Sequence, residues 1–371
     1  MDKYGVLTWY STYNYGTALQ AYSVTKILND NGFKAEIIAY RKNCSVAKKS
    51  KLDRIKETMV RIPPAMVRRI FWSQLRKKKE LFEKFLSNDM PQSKPYFTKD
   101  ELVKDVRDYK GFVCGSDQIW TPVPEGMDTT YFLDFVPNDI KKISYAPSIG
   151  YPSIPKEKKE VMGQLISRID YLSIREEHGA ELIKEICDCN AKVVVDPTLL
   201  ITKEKWVEFA VKSDIEEPYI LCYFLGKRKE TRKFAEDLKR KTGFKIINIP
   251  VEIGDFFWGD EIRLAVGPKE FVGLIMGASY ICSDSFHGVI FSANLEKNFF
   301  ALCRYKSNDK KNQNLRLVNI LSKLDLLDQM VMDEEKYCMD DYMEINYDKS
   351  RKKLSEQRDE SLKFLLDAIV N

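Results

Sequence analysis

Short apolar runs alternating with helix-patterned stretches constrain this chain more than any other feature. The first half holds YGVLTWY (4–10), KAEIIAY (34–40), GFVCG (111–115), KISYAPS (142–148), YLSIRE (171–176) and KVVVDP (192–197). Between the first two, Thr17–Asn31 reads as a helix closing at Gly32. The pattern restarts with PYILCYFLG (218–226), a helix over Lys229–Thr242 ending at Gly243, FKIINIP (244–250), a helix over Pro268–Gly277, SYICSD (279–284) and NFFALC (298–303). Strands separated by helices predict parallel sheets with helices on both faces. A chain of 371 residues is too long for one comfortable core. The expected fold is therefore α/β: two doubly wound, Rossmann-like domains facing across a cleft. The first spans 1–212, with a basic helical insertion at about 45–90, and the second spans 213–330. Residues 331–371 form an extension that ends in an amphipathic helix over Lys349–Val370. In such sheets ligands bind beyond the carboxyl ends of the strands.

The net charge of +5 is unevenly placed. Residues 48–84 contain 13 Lys or Arg and 4 Asp or Glu, so the remainder is acidic. Trp72, Phe71, Met59 and Met66 are mixed among these basic residues at helical spacing. That pattern suits either a surface-lying helix on an anionic membrane or a solvated helical hairpin broken at Pro63-Pro64. The acidic remainder and the lack of a recognisable motif argue against nucleic acid. No apolar run reaches the roughly 18–20 residues of a membrane span. MDKYGVLTWY has no basic region followed by a long apolar one, so no signal peptide is expected. Eight scattered cysteines without zinc spacing suit free thiols, and a cytoplasmic site, peripheral on the inner membrane face if the basic segment docks there, is expected.

Function is expected at strand-to-helix turns. SDSFHG (283–288) places His287, one of two histidines, beside Ser283, Asp284, Ser285 and Gly288 at a predicted helix start. Such a start favours an anion, and a His there can serve as acid or base. The same residues also suit a plain capping turn. STYNYGTALQAY (11–22) offers Asn14, Gly16 and Thr17, without the G-x-G-x-x-G of a dinucleotide fold. CGSDQIW (114–120) offers Ser116, Asp117 and Gln118, with Trp120 as a flat surface for a sugar ring. Arg175 at a strand end suits a carboxylate or phosphate, or else pairs with Glu176 or Glu177. Asp196, before Pro197, reads equally as structural or functional, and His178 reads as a surface residue.

Taken in order, NYGTALQAY, GSDQIW, SIREE, VDPTLL and SDSFHG resemble the polysaccharide pyruvyl transferase family over roughly residues 5–325. The resemblance implies a GT-B-like fold. It also implies transfer of an enolpyruvyl-derived group from phosphoenolpyruvate to a sugar of a cell-surface polysaccharide precursor, giving a cyclic ketal. No cofactor or metal is implied; the partners are phosphoenolpyruvate and a saccharide acceptor, free or lipid-linked. His287 becomes the catalytic residue and Arg175 a donor ligand. Some members carry an Arg two residues before that His, where this chain has Ser285; Arg304 and Arg316 are the candidates for the missing cation. Asp117 or Asp284 would accept a hydroxyl proton or orient His287. A nucleotide-sugar glycosyltransferase of the same fold class, or a non-catalytic protein that kept the fold, are the competing readings.

Overall fold

The computed structural model describes residues 2–41, 69–122, 127–306, 309, 313–332 and 336–371. Residues 48–68 of the basic segment, including Pro63-Pro64, lie outside the described residues.

The first half runs β1 (Lys3–Leu7), α1 (Tyr15–Asp30), β2 (Lys34–Ile37), α2 (Trp72–Asn88), α3 (Lys99–Asp105), β3 (Gly111–Cys114) and β4 (Lys141–Ser144). It continues with α4 (Lys156–Ile166), β5 (Ser173–Ile174), α5 (Glu177–Cys187), β6 (Lys192–Val193), α6 (Pro197–Leu200) and α7 (Lys203–Phe209). The second half holds β7 (Tyr219–Tyr223), α8 (Lys229–Thr242), β8 (Lys245–Asn248), β9 (Glu261–Ile262), α9 (Pro268–Gly277) and β10 (Tyr280–Ser283). After these come α10 (Phe286–Asn294), β11 (Asn298–Leu302), α11 (Leu315–Lys323), β12 (Met330–Val331) and α12 (Asp348–Val370).

The first sheet has the order β2-β1-β3-β4 and the second β12-β11-β10-β7-β8-β9, with every pairing parallel. This is the two-domain Rossmann-like architecture that the alternation predicts. YLSIRE and KVVVDP shrink to β5 and β6, which pair with each other beside β4. Two buried serines explain the shortening. Ser144 Oγ donates to the Ser173 carbonyl and accepts from its N–H, while Ser173 Oγ donates to the Ser144 carbonyl and accepts from Ala146 N–H. Hydroxyls thus stand in for ladder bonds where the strands splay.

Asn14 caps α1 through its side chain, so the helix starts at Tyr15, two residues before the expected Thr17. The helix is buried nearly all round, between the two domains. Its polar residues are satisfied locally: Gln20 donates to Thr8 Oγ1 and to the Trp9 and Thr17 carbonyls, and accepts from Ser116 N–H. Tyr15 stacks on Phe271 of α9 at 4.4 Å and meets Tyr223 edge-on at 5.6 Å. One apolar core therefore runs through both domains. The terminal α12 begins against the second domain, where Tyr347 donates to the Lys297 carbonyl and Arg351 pairs with Glu296. It ends on the first, where the Ile369 carbonyl accepts from Tyr4 and Lys141.

A methyl group at Gly273 of α9 would stand 1.7 Å from the Val211 carbonyl oxygen. Gly273→Ala is expected to cost about 1–3 kcal/mol through overpacking against backbone. An unchanged thermal midpoint would show that the 210–218 connection yields instead.

Candidate active site

The carboxyl ends of both sheets meet at one seam. From the first domain come the β1–α1 turn, the Ser116–Asp117 segment after β3, Arg175 after β5 and Asp196 after β6. From the second come SDSFHG after β10 and the segment from Arg304 to Arg316 after β11.

Asp196 lies at the centre and is almost fully buried. Its Oδ1 accepts from Thr198 N–H at 3.0 Å and Thr198 Oγ1 at 2.8 Å. Its Oδ2 accepts from Arg175 Nη1 at 2.9 Å and Ser116 Oγ at 3.4 Å, and faces His287 Nε2 at 3.5 Å. Burial opposes ionisation here, but the His287 imidazole, the Arg175 guanidinium and the Thr198 N–H outweigh it and hold the carboxyl below its ordinary range. His287 Nε2, itself buried, makes no hydrogen bond, and the Asp196 carboxylate is the charge that faces it, at 3.5 Å. On the other side the imidazole packs on Gly16, where an added Cβ would fall 2.1 Å from Nδ1. Gly16 and His287 belong to different domains, and only the lack of a side chain lets them close on each other.

Arg175 is equally buried. Burial works against its charge, but Glu176, Asp196 and Asp117 outweigh it and raise its pKa. Its Nε donates to Glu176 at 3.3 Å, while Nη2 has no hydrogen-bond partner. The guanidinium lies over the Phe286 ring at 4.3 Å, and Arg316 approaches the same ring at 5.8 Å. Arg316 donates from Nη2 to Gln313 and leaves Nε without a partner. Its pKa is pushed down to about 10, first by burial and then by the Arg175 charge. Two crowded cations with free donors suit an anion bearing two charged groups. Arg304 stands nearby, its guanidinium 5.4 Å from the Tyr305 ring, and its charge acts on both Asp284 and Arg316.

The rest of SDSFHG satisfies itself as a capping turn. Ser283 Oγ donates to the Tyr223 carbonyl and accepts from Ser285 N–H; Ser285 caps α10 by accepting from Gly288 N–H. A Cβ on Gly288 would meet Ser283 Oγ at 2.4 Å. Asp284 accepts from Leu225 and Gly226 N–H, and burial raises its pKa. Asp117 accepts from Thr17 Oγ1 at 2.7 Å and from Gln118 N–H. Neither acid is within ion-pair distance of His287; the carboxylate that faces the imidazole is that of Asp196. Gln118 reaches Gln313 across the seam at 3.1 Å.

Trp120 corrects the reading of a sugar platform. It is fully buried, stacks on Phe132 at 5.1 Å and donates Nε1–H to the Tyr131 carbonyl, so neither face meets solvent. Arg175 does pair with Glu176, one of the two acids expected of it, but the pair is buried and not the surface bridge that a neighbouring acid suggests. His178 is at the surface, partly exposed, and contacts Glu181 and the Pro152 carbonyl. Sequence patterns gave no hint of Lys78, on α2. It is half-buried over the Tyr15 ring at 4.7 Å and has no ion-pair partner among the described residues. Burial lowers its pKa to about 8.

A family model described as polysaccharide pyruvyl transferase matches residues 14–307. Comparison with curated proteins gives no match. Among solved structures, an α-glucosyltransferase in complex with UDP and a 13-mer DNA is similar at TM-score 0.50 and 10% identity, covering 98% of this chain and 94% of that one. A UDP-GlcNAc 2-epimerase from Methanocaldococcus jannaschii is similar at TM-score 0.47 and 12% identity, covering 97% and 92%. At 10% identity the likeness to the glucosyltransferase concerns the fold alone, a GT-B-like fold of two facing domains.

Gly16→Ala is expected to shift the His287 imidazole signals in an NMR spectrum and leave those of His178 in place. With two histidines in the chain, the assignment needs only a His178→Gln variant. Unmoved His287 signals would mean that the seam relaxes around the methyl group. Lys78→Met is expected to stabilise the fold at pH 7 by about 1–2 kcal/mol, allowing for solvent screening. Its folded pKa lies below the unfolded value, so the charged lysine penalises the folded state below pH 8. The gain should fade as pH rises from 8 toward 10 in thermal melts, and a gain independent of pH would point to packing.

Proposed function

Because the chain belongs to the polysaccharide pyruvyl transferase family, we propose that it transfers the pyruvyl group of phosphoenolpyruvate to two hydroxyls of a saccharide. The observation that carries this reading is the paired guanidinium groups of Arg175 and Arg316 on Phe286, with free donors, beside an imidazole that faces the Asp196 carboxylate. Phosphoenolpyruvate carries a carboxylate and a phosphate on one small carbon frame, which matches two adjacent cations. Arg316, brought in by α11, supplies the charge absent at Ser285, and Arg304 lends longer-range support.

In the proposed reaction His287 donates a proton to the methylene carbon of the donor, which becomes the methyl group. The adjacent carbon gains oxocarbenium character, and a sugar hydroxyl adds to it and loses its proton. The bond to the phosphate oxygen then breaks, with its electron pair leaving on inorganic phosphate. A second hydroxyl adds to the same carbon and closes the ketal, its proton leaving with the phosphate. Asp196 stabilises the imidazolium before transfer. Asp117, on the first domain and already in contact with Thr17, is suited to accept a hydroxyl proton. Asp284 is not, since two backbone N–H groups occupy its oxygens. The acceptor approaches from the first domain, past Gly16, Thr17 and Gln118.

Calorimetry with phosphoenolpyruvate tests the reading. Arg316→Ala and Arg175→Ala are expected to weaken donor binding by about 10–100-fold each, the loss for a hydrogen bond to a charged group. Arg304→Ala should have a smaller effect. His287→Ala should keep donor binding and lose about 10²–10⁴-fold in turnover. Asp196→Asn should lower turnover more than donor binding and change the pH profile of kcat. Binding of a sugar nucleotide in place of phosphoenolpyruvate would overturn the proposal in favour of glycosyl transfer.

A further inference from the structure

We propose that the start of α2 and the short 3-10 helix Ile253–Phe257 after β8 together form a docking surface for an anionic phospholipid bilayer. Ile70, Trp72 and Phe257 are large apolar residues left 55%, 58% and 63% exposed. They surround one contact: the Phe71 ring lies 5.5 Å from Phe257 and 5.6 Å from buried Phe256. Leu75 and Ile262 pack beneath, with Leu264. The patch therefore joins both domains and has an apolar base under solvent-facing side chains. Tryptophan and phenylalanine in this setting favour the boundary between headgroups and acyl chains.

Charge selects the occupant. Between Arg69 and Lys84 there are six basic and two acidic side chains. Arg76 and Lys79 lie four and seven residues on from Trp72, on the same helix face. Both acids are engaged by these cations within the helix, Glu80 by Arg76 and Glu83 by Lys79. Arg69, Lys77 and Lys84 have no ion-pair partner among the described residues. Apolar rings bordered by long cationic side chains complement an extended anionic surface with an apolar interior, and an anionic bilayer has that chemistry.

The other end of α2 turns inward. Phe82 and Phe85 are buried, and Phe82 packs against Tyr15 at 5.3 Å. Ten residues of helix separate Trp72 from Phe82, about 15 Å. Tyr15 adjoins Gly16, which touches His287. Docking would hold the seam within one helix length of the headgroups, in reach of an acceptor carried on a lipid. The docking surface itself does not depend on the pyruvyl-transfer reading.

The test is co-sedimentation of the full chain with vesicles of phosphatidylglycerol and phosphatidylcholine in equal parts, and of phosphatidylcholine alone. Binding to the mixed vesicles only, weakened by salt, is expected. Trp72→Ser with Phe257→Ser should reduce it about tenfold, and Arg76→Glu with Lys79→Glu at least as much. All four positions are at the surface or on an exposed helix face, and unchanged thermal midpoints and donor binding would show the variants folded. Equal binding to neutral vesicles, full binding by the double variants, or no binding to either vesicle would overturn the proposal. So would a dimer that the Trp72→Ser, Phe257→Ser pair dissolves without vesicles, which would assign the patch to a second copy of the chain.

Discussion

A buried carboxylate costs several kcal/mol unless cations and hydrogen-bond donors surround it, and the site is arranged around that cost at Asp196. Thr198 holds one oxygen, and Arg175 and Ser116 engage the other. Those donors fix the carboxylate, and the carboxylate in turn fixes the guanidinium, which would otherwise sweep through several rotamers. The direction left over faces His287 from the other domain. One anion therefore sets the position of a group that can bind charge and a group that can move a proton.

Phe286 plays the complementary part. A ring face attracts cations, so it draws together two arginines that repel each other. Burial first, and that repulsion after it, lower the pKa of Arg316. A dianionic ligand between them would exchange that repulsion for attraction, which favours a doubly charged ligand over a singly charged one of the same size. Selectivity of this kind comes from crowding like charges and requires no further contacts.

The alternation of strands and helices was legible because period-two and period-3.6 patterns are local properties. So was the placement of motifs at strand ends, which follows from the topology. His287, Arg175 and Arg316 could be singled out because chemistry-bearing residues at such ends are few. Asp196 stayed ambiguous, since a carboxylate before Pro197 caps a helix whether or not a histidine from another domain approaches it. Trp120 misled for a related reason: a polar loop precedes it, yet Phe132, twelve residues on, covers its face. The short β5 was also hidden, because serines resemble ordinary polar strand positions until their hydroxyls are seen replacing backbone bonds. These misses all depend on partners distant in sequence.

The chain crosses between the two domains twice, once at 210–218 and again along α12. Two such crossings define a line, and rotation about that line is the relative motion that breaks neither. Arg358 of α12 lies on it, donating to the Leu199 carbonyl of one domain and to Asn294 Oδ1 of the other. Asn294 ends α10, and His287 sits seven residues away near its start, a lever of roughly 10 Å. A rotation of about 10° about that line would move the imidazole about 2 Å further from Asp196, beyond the 3.5 Å at which they now face each other. The approach of His287 to Asp196 thus depends on how the two domains are set against each other, since each residue comes from a different one.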